Sequence, residues 1–353
     1  MSTIVHERPG VYSSYDTSTM VSGGSRAKTV GVAAKAASGN VGEVRLITGY
    51  TAGIGIFGED AGQQGMSTIL KLLFQNGAAA VRAVRVDDEQ PDYAGAFALL
   101  GGCEDIQVMI CDSAELSVQQ ALRDSVAEAS ANRRERIAVV GSRGENVEAL
   151  VDRAAALNSE RMVLVGPDAL DESGKELSGV FSAAAVAGVI AAGGDPAVPL
   201  NGAAVQGLGG LKEAYSDNDI DVLVRGGVLP LESMGGVISP ARGITTKTTT
   251  GGAHDATWRE LTTILVVDNV IPAVRSALRS RFARTKNTAQ TRSAIRSQVI
   301  VELEKKLAAQ IIDGYGNVTA VASPEDPSVC DVEFSFAVAH GLNQIYLTAH
   351  ITV

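Results

Sequence analysis

IQVMICDSAELSVQQALRDSVAEASANRRERIAVVGSRGENVEALVDRAAALNSERMVLV, residues 106–165, decides the fold class. Three short runs in it, 106–111, 136–140 and 161–165, are apolar almost without interruption, as strands are when both faces of their sheet are covered. Between them, 117–132 and 147–158 carry helical spacing. Strand, helix, strand, helix, strand demands crossover connections, which place neighbouring strands parallel and helices on the faces of the sheet.

The alternation extends in both directions. Downstream, 177–192 reads as a helix and the apolar run 220–224 as the next strand. Upstream, 29–34 and 43–48 read as strands and 67–74 as a helix. Asn76-Gly77 stops that helix, and 79–86 follows as a β-branched strand. From about Gly251 the texture changes. Residues 260–267 are rich in β-branched side chains and read as extended. Asp268 then reads as the N-cap of a helix to about Arg284, with Pro272 in its first turn where a missing N–H costs little. A second helix spans about 288–310, and Val332, Phe334, Phe336 and Val338 alternate as a strand before a turn at Gly341 and Asn343. The expected architecture is a mainly parallel α/β core at 26–250 followed by an α+β C-terminal domain at 251–342. An N-terminal arm with a glycine-rich joint at 1–25 and a C-terminal strand arm at 343–353 flank them.

The arms are patterned. Ile345, Leu347, Ala349, Ile351 and Val353 alternate with polar or aromatic residues, and Ile4, Val5, Val11 and Tyr12 flank the rigid turn Arg8-Pro9-Gly10. A strand with one apolar face and free backbone groups needs a sheet edge, in its own chain or another. Two such ends suggest a subunit joined to further copies of itself.

Composition narrows the function. The chain has 353 residues, 45% hydrophobic but only 4% aromatic, with 38 glycines and a net charge of −10. Few aromatics favour tight packing of small side chains over an aromatic-lined pocket, and the acidic balance argues against general nucleic-acid binding. No uninterrupted apolar run reaches the length of a membrane span, and the N-terminus lacks a signal core. Cys103, Cys111 and Cys330 have no metal-ligand spacing and read as core thiols made in a reducing cytoplasm. No cofactor is expected.

Several motifs fall short of chemistry. Gly53-Ile54-Gly55-Ile56-Phe57-Gly58 matches the dinucleotide fingerprint after an apolar strand, which leaves an oligomeric nucleotide-binding α/β enzyme as the alternative reading. However, Glu59-Asp60 place negative charge where a pyrophosphate would sit, so a glycine-rich connection is the simpler reading. Gly174-Lys175 lacks the remaining residues of a phosphate loop. His6, His254, His340 and His350 form no ligand pair, and no nucleophile elbow occurs. Asp87-Asp88-Glu89 reads as a solvated turn, and no catalytic site emerges.

One charge feature stands out. From Arg275 to Arg296 there are seven basic residues and no acid. At 100° per residue Arg275, Arg279 and Lys286 share a stripe beside an apolar face of Val270, Val274, Ala277 and Leu278, and would meet an acidic partner. Arg292 and Arg296 instead share a face with Val299, Leu303 and Leu307, where they would need carboxylate partners.

These segments together resemble the sheath proteins of contractile phage tails, phage-tail-like bacteriocins and related injection systems. The resemblance rests on RPGVY at 8–12 and IFGEDAGQQGMSTILKLLFQNGAAAVRAVRV at 56–86. Near the C-terminus it rests on VVDNVIPAVRSALRSRF at 266–282 followed by NTAQTRSAIRSQVIVELEKKL at 287–307, including Arg292. The chain departs from the family where Pro240–Thr245 stands in place of an aromatic-rich arginine-threonine loop, and its short middle leaves no room for a large insertion domain. The resemblance implies a structural protein that is not an enzyme. Its copies stack as six-fold rings in a helix around an inner tube, are stitched by exchanged terminal strands, and contract to drive the tube outward. It also implies that the C-terminal domain faces the tube, that baseplate and tail-terminator proteins are further partners, and that the assembled particle is released from the bacterial cell. Nucleic acid and membrane are not expected as partners.

Overall fold

Apolar runs that read as doubly covered strands line up in one eight-stranded sheet. The computed structural model describes residues 28–60, 65–343, 348 and 349. The strands are β1 (Thr29–Ala34), β2 (Val44–Ile47), β3 (Ala80–Arg85), β4 (Ile106–Cys111), β5 (Ile137–Gly141), β6 (Met162–Gly166), β7 (Val228–Met234) and β8 (Val237–Pro240). Their spatial order is β8-β7-β6-β5-β4-β1-β3-β2. The six inner strands are parallel, and β2 and β8 close the two edges antiparallel. Every residue of β5 and β6 is buried, which is why those runs show no alternation.

Helices cover both faces. On one side α6 (Gly179–Ala192) lies across β4, β5 and β6 and packs against α2 (Met66–Gln75). Apolar on all sides, α6 is a core helix. On the other side α3 (Tyr93–Gly101), α4 (Leu116–Ala131), α5 (Val147–Leu157) and α7 (Asp217–Arg225) follow one another across the sheet. They bury Phe97, Leu122, Val126, Leu150, Ala154 and Leu223. The expected stop of α2 is present, with Asn76 as C-cap and Gly77 at φ +90°.

Three sequence expectations are corrected. Residues 220–224 belong to helix α7, not to a strand, because Ser216 and Asp219 form a reciprocal capping box that starts a helix four residues earlier. Its buried side chains, Leu223 and Val224, sit at helical spacing from Ile220, and β7 takes the sheet position instead. The glycine-rich segment is not a connection either: it forms most of helix α1 (Tyr50–Phe57), which Gly58 ends at φ +72°.

The third correction concerns 260–267 and Asp268. Both lie inside α8 (Leu261–Phe282), which runs unbroken through Pro272. Asp268 is therefore inside the helix and not its N-cap, and the proline sits in mid-helix. Val266, Val267, Val270, Ile271 and Val274 are buried on both sides of it, so tertiary packing overrides the β-branched propensity and the missing hydrogen bond. Read as one element, α8 is long and apolar enough by length and composition to cross a membrane, although the sequence showed no uninterrupted run of that length. Half of its apolar window is buried within the protein.

The chain divides into two compact units, and the change falls inside α8, at 265. The larger unit holds the eight-stranded sheet and, among its described residues, the segment that resumes at Gly341. The smaller holds Asp195–Ala197, the rest of α8, α9 (Ala289–Ala308) and an antiparallel ribbon of β9 (Ile312–Ala322) and β10 (Cys330–Val338).

Candidate assembly interface

The smaller unit concentrates the features that point to a partner. Phe282 ends α8, and Arg284 turns the chain at φ +73°. Thr288 then caps α9, its hydroxyl accepting from Thr291 N–H at 3.2 Å. α9 packs along β9 with Val299 and Leu303 buried. A polar seam crosses the helix pair. The Arg281 guanidinium donates to Gln298 Oε1, Gln298 Nε2 donates to Glu302 Oε1 at 2.9 Å, and Lys305 Nζ donates to the same oxygen at 2.7 Å. Gln298 and Glu302 are both buried. Sequence reasoning missed this seam. Its only signal was a Gln and a Glu four apart on the face of Val299 and Leu303.

The predicted basic stripe is altered by where α8 stops. Val270, Val274 and Leu278 are buried as the spacing implies, and Arg275 is half-buried while Arg279 is exposed. Lys286 lies beyond the helix end, in the loop before α9, so it extends a basic end instead of a helical stripe. Arg279 and Lys286 have no side-chain partner among the described residues.

Arg292 is half-buried and Arg296 is exposed, and neutral oxygens hold both. Arg292 Nη1 donates to Asn287 Oδ1 at 3.0 Å, and Arg296 Nε donates to the Val318 carbonyl at 2.8 Å. Asn287 in turn donates to the carbonyls of Pro327 and Val329 at 2.8 and 2.9 Å. These arginines therefore tie the start of α9 to the ribbon and its turn. Neither has a carboxylate partner among the described residues.

The ribbon has an open edge on each side, since β9 and β10 pair only with each other among the described residues. Phe334 and Phe336 stack on one face of β10 with ring centroids 5.7 Å apart, and both are half-buried. The sequence showed β10 but not β9, whose Gly314 and Gly316 blur the alternation. Of the strand-arm residues, Ile4, Val5, Val11, Tyr12, Ile345, Leu347, Ile351 and Val353 lie outside the described residues. Ala349 is exposed and outside any strand.

The enzyme alternative depends on the crevice of the large sheet. β1 leads to β3 on one side and is flanked by β4 on the other, so the switch point, where α/β enzymes bind ligands, lies at the C-terminal ends of β1 and β4. Here Asp112 fills it. Its Oδ2 accepts from Lys35 N–H at 2.8 Å and its Oδ1 from the Tyr93 hydroxyl at 2.6 Å. Burial pushes this carboxyl above its ordinary range, against the opposing pull of those two donors. The glycine fingerprint contributes no phosphate loop, because Gly53 and Gly55 lie inside α1 and Gly58 is its C-cap.

Comparison with known proteins agrees with this arrangement. The family model for the phage tail sheath protein central domain matches residues 89–246, and that for the phage tail sheath C-terminal domain matches 253–352. The chain belongs to the phage tail sheath family. A tail sheath protein of Bacillus phage SP01 is 30% identical over 253 residues, which is 70% of this chain and 43% of that protein. The chain thus spans less than half the length of that relative. The helical sheath of the anti-feeding prophage in its contracted state superposes with a TM-score of 0.73 at 16% identity, covering 98% of this chain and 99% of the other. The sheath of the extracellular contractile injection system PVC, also contracted, gives 0.72 at 15% identity, with 99% of each chain covered. The α/β architecture with a mainly parallel sheet is therefore the sheath fold. Apart from Asp195–Ala197, the central-domain match falls within the large unit, and the C-terminal match takes in α8, α9 and the ribbon.

Proposed function

We propose that the chain is a subunit of a contractile sheath. It polymerises helically, as stacked six-fold rings around an inner tube, and shortens to drive that tube through a target envelope. Neighbouring copies are joined by exchanged terminal strands. The observation that carries this reading is the ribbon. A two-stranded sheet is marginal in water, and each open edge invites another strand. The patterned residues 4–12 and 345–353 are the strands the sequence offers for those edges.

Family membership supports a structural role, and the role here is mechanical. The extended sheath must be the less stable form, and contraction must gain contact between copies. One or two kcal/mol per subunit, about the net worth of one or two hydrogen bonds, is enough when summed over a tail. The basic end formed by Arg275, Arg279 and Lys286 suits an acidic tube wall. The baseplate and tail-terminator proteins would bound the polymer, which assembles in the bacterial cytoplasm and leaves as part of a particle.

The test is assembly of the purified full chain. It forms hollow cylinders without a tube, seen by negative-stain microscopy. Removing 344–353 takes away backbone hydrogen bonds worth about 0.5–1.5 kcal/mol each and apolar side chains worth about 1.5–3 kcal/mol each when fully buried. The truncated chain stays folded, reported by the buried Trp258, and makes no long cylinders. A full chain that remains monomeric at high concentration overturns polymerisation. Cylinders of full length from the truncated chain overturn strand exchange.

A further inference from the structure

The roots of both arms are held by residues of the large unit that lie close together in sequence, on either side of Asp195–Ala197, although the roots themselves lie more than 300 residues apart. The first described residue, Lys28, is fixed at the end of α6: its N–H donates to the Ala191 carbonyl at 3.1 Å, and its ammonium donates to the Ile190 carbonyl at 3.1 Å. Those are last-turn carbonyls of α6, which lack helical partners and carry the negative end of the helix dipole.

The other arm is rooted just downstream. Asn201 Nδ2 donates to Asn343 Oδ1 at 2.8 Å. Gly341 lies so close to Pro199 that an added Cβ would sit 2.8 to 3.0 Å from three atoms of the proline ring. Residues 199–201 are themselves secured. Ala203 N–H closes a turn onto the Leu200 carbonyl at 3.0 Å, Gly202 N–H donates to the Pro240 carbonyl at 3.1 Å, and Leu200 packs on Gly243. Pro240 is the last residue of edge strand β8. One root is thus held by a core helix and the other by the sheet edge, and only seven residues of chain, 192–198, lie between Ala191 and Pro199.

We propose that Ile190–Ala191 and Pro199–Asn201 are a common mooring for the two arms, with Lys28, Asn201, Gly341 and Asn343 as positioning residues. The partners are other copies of this chain, and the inference rests on the strand-exchange reading above. Lys28 and Asn343 are thereby held at fixed points of the large unit. A pull from one neighbour passes to the other along the short stretch of chain from the end of α6 to the turn at Leu200, and the large sheet is not sheared. The arms can then stay engaged while the subunit rotates as a body.

The test compares cylinders of the full chain with those of Asn201→Ala/Asn343→Ala and of Lys28→Met, which loosen the two roots separately. Loss of one such hydrogen bond weakens each link about fivefold. Both variants are expected to assemble, but into cylinders about fivefold shorter that dissociate at lower urea, while Trp258 reports an unchanged unfolding of the large unit. An Asn201→Cys/Asn343→Cys variant should restore full length when oxidised and lose it again when reduced. Full-length cylinders with unaltered dissociation from both loosened variants overturn the mooring and leave strand exchange standing. If the unaltered chain makes no cylinders, strand exchange fails first and the mooring with it. A shifted Trp258 transition in the loosened variants also counts against the mooring, because the contacts would then support the fold as a whole.

Discussion

Replacing Gly55 and Gly53 separately by alanine tests whether the fingerprint glycines are helical. Both lie inside α1, two residues apart, in different surroundings. Gly55 is exposed, and a Cβ added there meets nothing within 4 Å. In a helix interior Gly→Ala then stabilises by about 0.5–1 kcal/mol, because the unfolded chain loses freedom and the helix loses nothing. Gly53 is buried, and its Cβ would sit 2.6 Å from Leu70 Cδ1 and 3.4 Å from Ile47 Cγ2. Leu70 is fully buried in α2, so its methyl can move only by disturbing the core. Overpacking costs about 1–3 kcal/mol. Set against the helical gain, Gly53→Ala should destabilise by about 0.5–2 kcal/mol. The assay is urea unfolding followed by Trp258, the only tryptophan, with the protein held below its assembly concentration so that association does not contribute. Opposite signs for the two variants are expected. A loss at Gly55 comparable with that at Gly53 would refute the argument, since it would mean that residue 55 needs a backbone conformation or a close approach that only glycine allows.

Two further outcomes follow from side chains already described. The Asp112 carboxyl is raised in the folded protein, chiefly by burial, so the folded state binds its proton more tightly than the unfolded state. Its contribution to stability is therefore fully present below the ordinary aspartate range and is lost as pH rises through the raised value; the stability difference between the parent chain and Asp112→Asn, measured by urea unfolding, should move in favour of the parent on acidification from pH 7, and a difference independent of pH would contradict this. At the basic end, exposed ion pairs are worth about 0.2–1 kcal/mol each and are screened by salt; Arg279→Glu/Lys286→Glu should leave tube-free cylinders intact and abolish extended sheath on tubes, and loss of both assemblies in microscopy would reassign these residues to contacts between sheath copies.

The sequence made the parallel core legible because β4, β5 and β6 are buried on both faces and carry no competing signal. It failed where one pattern serves two structures. Ile220, Val222, Leu223 and Val224 suit a strand by composition, and only the reciprocal bonds of Ser216 and Asp219 reveal the helix start. In α8 the β-branched run and the proline both argue locally against a helix, and burial on both sides of Pro272 outweighs them. The basic run was visible as composition, but its geometry depended on a helix end set by Arg284 in a left-handed conformation, which no spacing rule gives. Arg292 and Arg296 were expected to need carboxylates on the α9 face that carries Val299, and neutral oxygens hold them instead. Of their partners, the amide of Asn287 lies in the loop before α9, and the Val318 carbonyl lies in β9, which the sequence did not reveal.

The large unit has the topology of a nucleotide-binding sheet, and a fold of this kind does not itself fix a function. The switch point is what separates the two possibilities. In an enzyme, the groups after β1 and β4 stay available to a ligand. Here the backbone N–H of Lys35 and the hydroxyl of Tyr93 both donate to the carboxyl of Asp112, and the ammonium of Lys35 reaches the Asp88 carbonyl at 3.2 Å. The polar groups that would hold a substrate are satisfied by one another. Such a cross-link ties β1, β4 and α3 together at the end of the sheet where motion would be most useful to catalysis and most harmful to a mechanical part. Stiffness at that point is what a subunit needs if it is to transmit force as one body while its edges and arms exchange contacts with other copies.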